Sequence, residues 1–142
     1  MKKTFSPKSA EIVRAWHLLD ANGQTPGRLS TEVAKLLMGK DKVTFARHID
    51  SGDQVVVLNV EKIKFSGAKE TDKHYHTHSG FRGGVKKLSV SQVRQIHPER
   101  LLEHAVNGML PKNKLRDKMM TRLHLITGTT NPYEQYFKSK NS

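Results

Sequence analysis

The chain has no cysteine in its 142 residues, which excludes disulfides, thiolate zinc sites and a cysteine nucleophile, and fits a reducing compartment. Any metal site would have to be built from histidine and carboxylate. Acids are scarce as well: 13 Asp and Glu stand against 25 Lys and Arg, a formal net charge of +12. That balance excludes a cationic partner surface and points to a polyanion. Long apolar stretches are missing too. No run of signal-peptide length follows "MKKTFSPKSAEIVRAW", and the longest purely aliphatic run is "VVVL", Val55 to Leu58. The expectation is a soluble cytosolic protein with no membrane partner.

The motifs of nucleotide enzymes are likewise absent. Neither G-x-G-x-x-G nor G-x-x-x-x-G-K-[ST] occurs, the turn "DANGQTPGRLS" shares only glycines with a phosphate loop, and there is no G-x-S-x-G elbow. The acids are scattered singly, so no carboxylate pair stands out. Nothing indicates catalysis, a cofactor or a small-molecule substrate.

What is present reads as one α/β domain, 1–142, with a core over about 12–128 and extended tails at 1–11 and 129–142. "AWHLLD" (Ala15 to Asp20) predicts a strand ended by the Asn22-Gly23 turn. Thr25 can cap a helix starting at Pro26, on which Leu29, Val33, Leu36 and Leu37 share a face before Gly39 stops it. Val55 to Val60, rich in β-branched residues, predicts a central strand buried on both faces. Strand, helix, strand favours a right-handed crossover and a parallel sheet.

Beyond it, "KIKFSG" and "KHYHTH" both alternate and predict a hairpin-like pair flanking "AKETD". Ser89 or Ser91 can cap a helix carrying Val93 and Ile96. Pro98 can open a further one with Leu101, Leu102, Ala105, Val106, Met109 and Leu110 as its apolar stripe. After Pro111, "KLRDKMMTRL" predicts a helix with Leu115, Met119 and Leu123 inward and Lys114, Arg116, Lys118 and Arg122 outward; "HLIT" predicts a last strand.

The stretch "KHYHTHSGFRGG" (Lys73 to Gly84) admits three readings. In a strand, His74, His76 and His78 project to one face and could hold zinc with an open fourth position. Against this, the nearby acids are only Glu70 and Asp72, while Lys69, Lys73 and Arg82 repel a cation. They could be plain exposed residues of an edge strand. Or the imidazoles and Tyr75 could stack on bases or bond phosphate and ribose, with Gly80, Gly83 and Gly84 letting a backbone come close.

"PKNKLRDKMMTR" weighs toward the last: five basic residues against one acid, Asp117, on a helix whose inward side is already accounted for. Positive charge recurs at Lys40, Lys42, Arg47 and His48, and at Lys2, Lys3 and Lys8. Charge distributed this way suits a large folded polyanion better than one small ligand.

Several blocks, in order and at matching spacing, resemble one family. "WHLLDANGQTPGRLSTEVAKLL", "DSGDQVVVLNVEKIKFSGAKETDK", the "SGFRGG" turn and "NGMLPKNKLRDKM" are similar to bacterial large-subunit ribosomal protein L-thirteen, over roughly residues 4 to 128. The resemblance implies a three-layer α/β/α domain around a small, mostly parallel four-stranded sheet. It also implies a non-enzymatic structural protein that binds large-subunit rRNA early in subunit assembly beside neighbouring large-subunit proteins. Two positions depart from the family pattern: Asn107 stands before "GMLP" where a basic residue is common, and Arg116 where a small one is usual. The expected RNA contacts are Lys112, Lys114, Lys118 and Arg122, then Lys69, Lys73, His74, His76, His78, Arg82, Lys86 and Lys87, then Lys40, Lys42, Arg47 and His48.

Overall fold

A computed structural model of the chain describes residues 6–138. The expectations placed on Lys2, Lys3 and residues 139–142 lie outside them. Strand β1 (Trp16–Asp20), helix α1 (Pro26–Met38) and strand β2 (Gln54–Leu58) form the expected crossover, with β1 and β2 parallel from Trp16↔Gln54 to Asp20↔Leu58. The other edge of β2 pairs, also in parallel, with β5 (Leu123–Leu125), giving the order β1-β2-β5. Val55, Val56 and Val57 are fully buried, as a central parallel strand requires.

Alternation along the strands separates two faces. Leu19, Val55, Val57, Leu123 and Leu125 meet Leu29, Val33 and Leu37 of α1 and Leu102, Val106 and Leu110 at and beyond α4 (Glu99–Met109) in one core. Burying each such leucine or valine contributes about 1.5–3 kcal/mol. Helix α1 begins with proline at its first position and stops where Gly39 takes φ 73°. The opposite face carries Trp16, Leu18, Val56 and His124. There the Trp16 ring stacks on Tyr136 (centroids 4.5 Å, planes 5° apart), on Tyr133 (5.5 Å) and on His124 (5.6 Å). Residues 129–142 were expected to be extended. Instead Glu134–Lys138 is a short helix, here α6, and the segment leading into it lies against the sheet, because the ring surface of the chain's single Trp is otherwise wet.

Among the described residues the parallel sheet has three strands where four were expected, because the remaining two strands pair with each other instead of joining it. After a helical turn, α2 (Lys69–Asp72), strand β3 (His74–His78) runs antiparallel to β4 (Val85–Ser89). The partner of "KHYHTH" is therefore "VKKLS"; "KIKFSG" is no strand but the end of the 3-10 turn Val60–Lys62 followed by coil and turn. Alternation marks a strand without naming its partner, and here the Ser79–Gly84 turn brings β4 back. Helix α3 (Val90–Ile96) starts in a capping box in which the Ser89 hydroxyl accepts from Gln92 N–H and Gln92 Oε1 accepts from Ser89 N–H. Val90, Val93 and Leu101 form a second small core with Phe65, Tyr75 and Leu88. Helix α5 is only Arg116–Met120, anchored by buried Met119. No helix among the described residues is long and apolar enough to cross a membrane.

Candidate nucleic-acid interface

The segment after α4 is held by buried Leu110 on one side and Met119 on the other, with the Asn113 side chain accepting from Leu115 N–H at 3.0 Å between them. Lys112, Lys114 and Lys118 are left exposed. Arg122 is not. It is 6% exposed, because α5 ends at Met120 and the chain turns into β5 before the expected helical face reaches it. Its Nη2 donates to Asp50 Oδ1 at 2.6 Å and to Leu37 O at 3.0 Å, Nη1 donates to Asp50 Oδ2 and Lys118 O, and Nε donates to Asp53 O at 3.3 Å. Every donor is engaged inside the chain, so its assignment to RNA is corrected.

Lys42 is corrected likewise. Its ammonium donates to Val13 O and Ser51 O, each at 2.9 Å, and to the Asp53 carboxylate. Burial pushes the Asp53 carboxyl up, but hydrogen bonds from Lys42, the Ala15 N–H and His17 outweigh it and hold the group below the usual carboxylate range. Lys40, Arg47 and His48, from the same loop, stay exposed.

On the β3–β4 ribbon, His74, His76 and His78 share the outer face, and His76 is directly opposite Lys87. The His74 imidazole bonds the Asp72 carbonyl through Nδ1, and His78 Nδ1 accepts from Gly80 N–H. Among the described residues no group of three His, Cys, Asp or Glu gathers as metal ligands. Tyr75 points the other way, into the second core, where burial raises its hydroxyl pKa and His104 meets its ring edge-on at 5.4 Å. It is a packing residue, and its expected role as a base stacker is withdrawn. Arg82 stands exposed on the turn beside Phe81, 79% exposed, and Lys86 and Lys87 are exposed on β4.

Three adjoining clefts bring distant basic residues together. The first, about 1110 Å³, lies between the start of α1, residues 65–73 and α4, and is lined by Arg28, Lys69 and Lys73. The second, about 350 Å³, is lined by Lys40, Arg47, Pro111 and Asn113. The third, about 390 Å³, joins Arg14 and His48 to Lys118. Met109 lines both the first and the second, and Ile49 both the second and the third, so the three are contiguous. The ribbon residues His74, His76, His78, Arg82, Lys86 and Lys87 line none of them. Arg28 escaped sequence reasoning; the signal was its place on the first turn of α1, next to Leu29 on the buried side.

Part of the basic set has already taken the nearby acids: Arg122 and Arg14 share Asp50, Lys42 pairs with Asp53, to which the His17 ring also hydrogen-bonds, and Arg94 holds Glu70. Among the described residues Arg28, Lys40, Arg47, Lys112, Lys114 and Lys118 form no ion pair. A contiguous strip of uncompensated cations on turns and helix ends can neutralise phosphates along a folded polyanion.

Residues 14–132 match the model of the family described as Ribosomal protein L13. The chain is 52% identical over 126 residues to the large ribosomal subunit protein uL13 of Halorhodospira halophila, covering 89% of each chain. It is 46% identical over 133 residues to the protein of the same description from Staphylococcus aureus strain JH9, covering 94% of this chain and 92% of that one.

Proposed function

Because this chain belongs to the ribosomal protein L13 family, we propose that it binds large-subunit rRNA as a structural constituent of the large ribosomal subunit, and supports early subunit assembly. It is a ribosomal protein of the cytoplasm and not an enzyme. The observation that carries the RNA reading is the sorting of charge: Asp50 and Asp53 are spent on Arg122, Arg14 and Lys42, while Arg28, Lys69, Lys73, Lys40, Arg47 and Lys118 along the three clefts form no ion pair among the described residues.

Lys112, Lys114 and Lys118, with Lys40, Arg47 and His48 across the clefts, contact phosphates and ribose of one RNA surface. Lys69 and Lys73 extend that track to the ribbon, whose His74, His76, His78, Arg82, Lys86 and Lys87 form a second contact region. Recognition rests on RNA shape and backbone. Neighbouring large-subunit proteins meet surfaces that the RNA leaves free.

Sucrose-gradient fractionation of a cell lysate, with immunodetection of this chain, tests the reading. Co-sedimentation with large subunits and their precursors is expected; recovery mainly in the light fractions overturns it.

A further inference from the structure

We infer that the cleft between the first turn of α1, residues 65–73 and α4 receives one unstacked nucleotide of the bound RNA. The inference rests on the rRNA-binding reading and deepens it. A duplex offers a protein phosphates and ribose, for which exposed lysines on a convex surface suffice. This cleft is built otherwise. Its rim carries Arg28, Lys69 and Lys73 against one acid, Asp72, while Phe65, Ala105 and Met109 contribute apolar surface to the same concavity. An unpaired nucleotide matches both parts, since it joins a phosphate to a flat, weakly polar ring that stacks or packs on apolar side chains.

Charge and aromatic surface are next to each other here. The Lys73 ammonium rests 5.5 Å from the centroid of the Phe65 ring, and both residues line the cleft. Space is sufficient as well: at about 1110 Å³ the cleft is larger than its two neighbours, at about 350 and 390 Å³, and has room for a nucleotide. The rim is also open. A Cβ added at Gly27 or Gly67 would meet no atom within 4 Å, so RNA backbone can come up to both positions unobstructed.

The free space at Gly27 supplies the test. Gly27→Leu puts a side chain on the cleft rim without changing charge, and leucine in a helix is the better former, so the variant melts no lower than the native protein. With deproteinised large-subunit rRNA as probe, Gly27→Leu weakens binding about tenfold, the scale of losing one stacked base. Probing with base-modifying reagents shows an unpaired base protected by the native protein and open with Gly27→Leu, while the rest of the footprint is kept. Ala105→Phe, on the α4 wall of the same cleft, gives the same two results.

Native-like affinity and an unchanged footprint with both variants overturn the inference and leave the rRNA reading standing. No specific rRNA binding by the native protein overturns both. Free AMP binding as tightly as the rRNA also overturns the inference, by making the cleft a small-molecule site.

Discussion

The Arg122 guanidinium grips the Asp50 carboxylate with both Nη atoms across 72 positions of sequence, tying the entry of β5 to the loop that leads into β2. The two side chains are 8% and 12% exposed, and Arg14 adds a longer contact to the same carboxylate at 3.5 Å. Such a pair does little for net stability against well-packed apolar residues, but removing one partner strands the other charge. Asp50→Ala and Arg122→Leu are each expected to lower unfolding stability by about 3 kcal/mol, and the double variant by less than the sum. Urea denaturation midpoints check this. Once folded, Arg122→Leu binds rRNA as the native chain does; a large selective loss of affinity would return Arg122 to the interface.

Lys114 and Lys118 are the opposite case, exposed and outside every ion pair among the described residues. Lys114→Glu with Lys118→Glu is expected to leave the melting midpoint and far-ultraviolet dichroism unchanged while weakening rRNA binding. If the native protein neutralises about six phosphates, log affinity falls against log salt with a slope of about −4 to −5, and the double variant is shallower by about 1.5. Filter binding over a salt series reads both.

The single tryptophan of the sequence is Trp16, so its fluorescence reports the docking of residues 131–137. Burial lowers the pKa of His124 in that stack, where Nε2 is 3.2 Å from Gln54 Oε1. The unfolded chain therefore takes up the proton first, so the contribution of neutral His124 is present above about pH 6.5 and is lost as pH falls through the folded value. Trp16 emission should shift red as acid releases the segment, and His124→Phe should remove that step. An identical acid shift in His124→Phe would place the titrating group elsewhere.

At lower pH a carboxylate takes over. Asp53 is held below its usual range, so its stabilisation is complete above about pH 4 and disappears as pH falls through the folded value. The melting temperature of the native protein should drop more steeply below pH 4 than that of Asp53→Asn.

Next to Asp53, Gly52 is irreplaceable for a different reason: an added Cβ would lie 1.6 Å from Leu37 O, within the backbone of α1. Gly52→Ala should cost about 3 kcal/mol or more by forcing α1 off β2, whereas Gly27→Ala, in open space, should stabilise by a few tenths to about 1 kcal/mol. Thermal melts of the two alanine variants give the comparison.

The legible parts of this chain were those written in local period. Leu29, Val33 and Leu37 announce α1, the valines of β2 announce a strand covered on both sides, and the pair Ser89 and Ser91 announces the start of α3, with Ser89 the one that caps it. What failed was whatever depends on a distant partner. Helical spacing carried past Met120 put Arg122 in solvent, and nothing near it in sequence points to Asp50. The alternation of "KHYHTH" showed a strand but not that β4 would pair with it. Tyr133, Tyr136 and Phe137 do have helical spacing, and together with a lone tryptophan they were a readable sign that the C-terminal segment packs. At the interface, charge announced the lysines, yet only the fold shows which of them are already occupied and that Arg28 belongs with the rest.

The placement of β5 and of the aromatic cover has a consequence in time. Residues 123–125 complete one edge of β2, and residues 131–137 screen Trp16 on the opposite face, so both arrive after every other part of the sheet has been translated. A chain lacking them keeps β1 and β2 on α1 and α4 but leaves one edge of β2 unpaired and the Trp16 face wet. A chain truncated before residue 123 is therefore expected to be cut faster in limited proteolysis than the 142-residue chain.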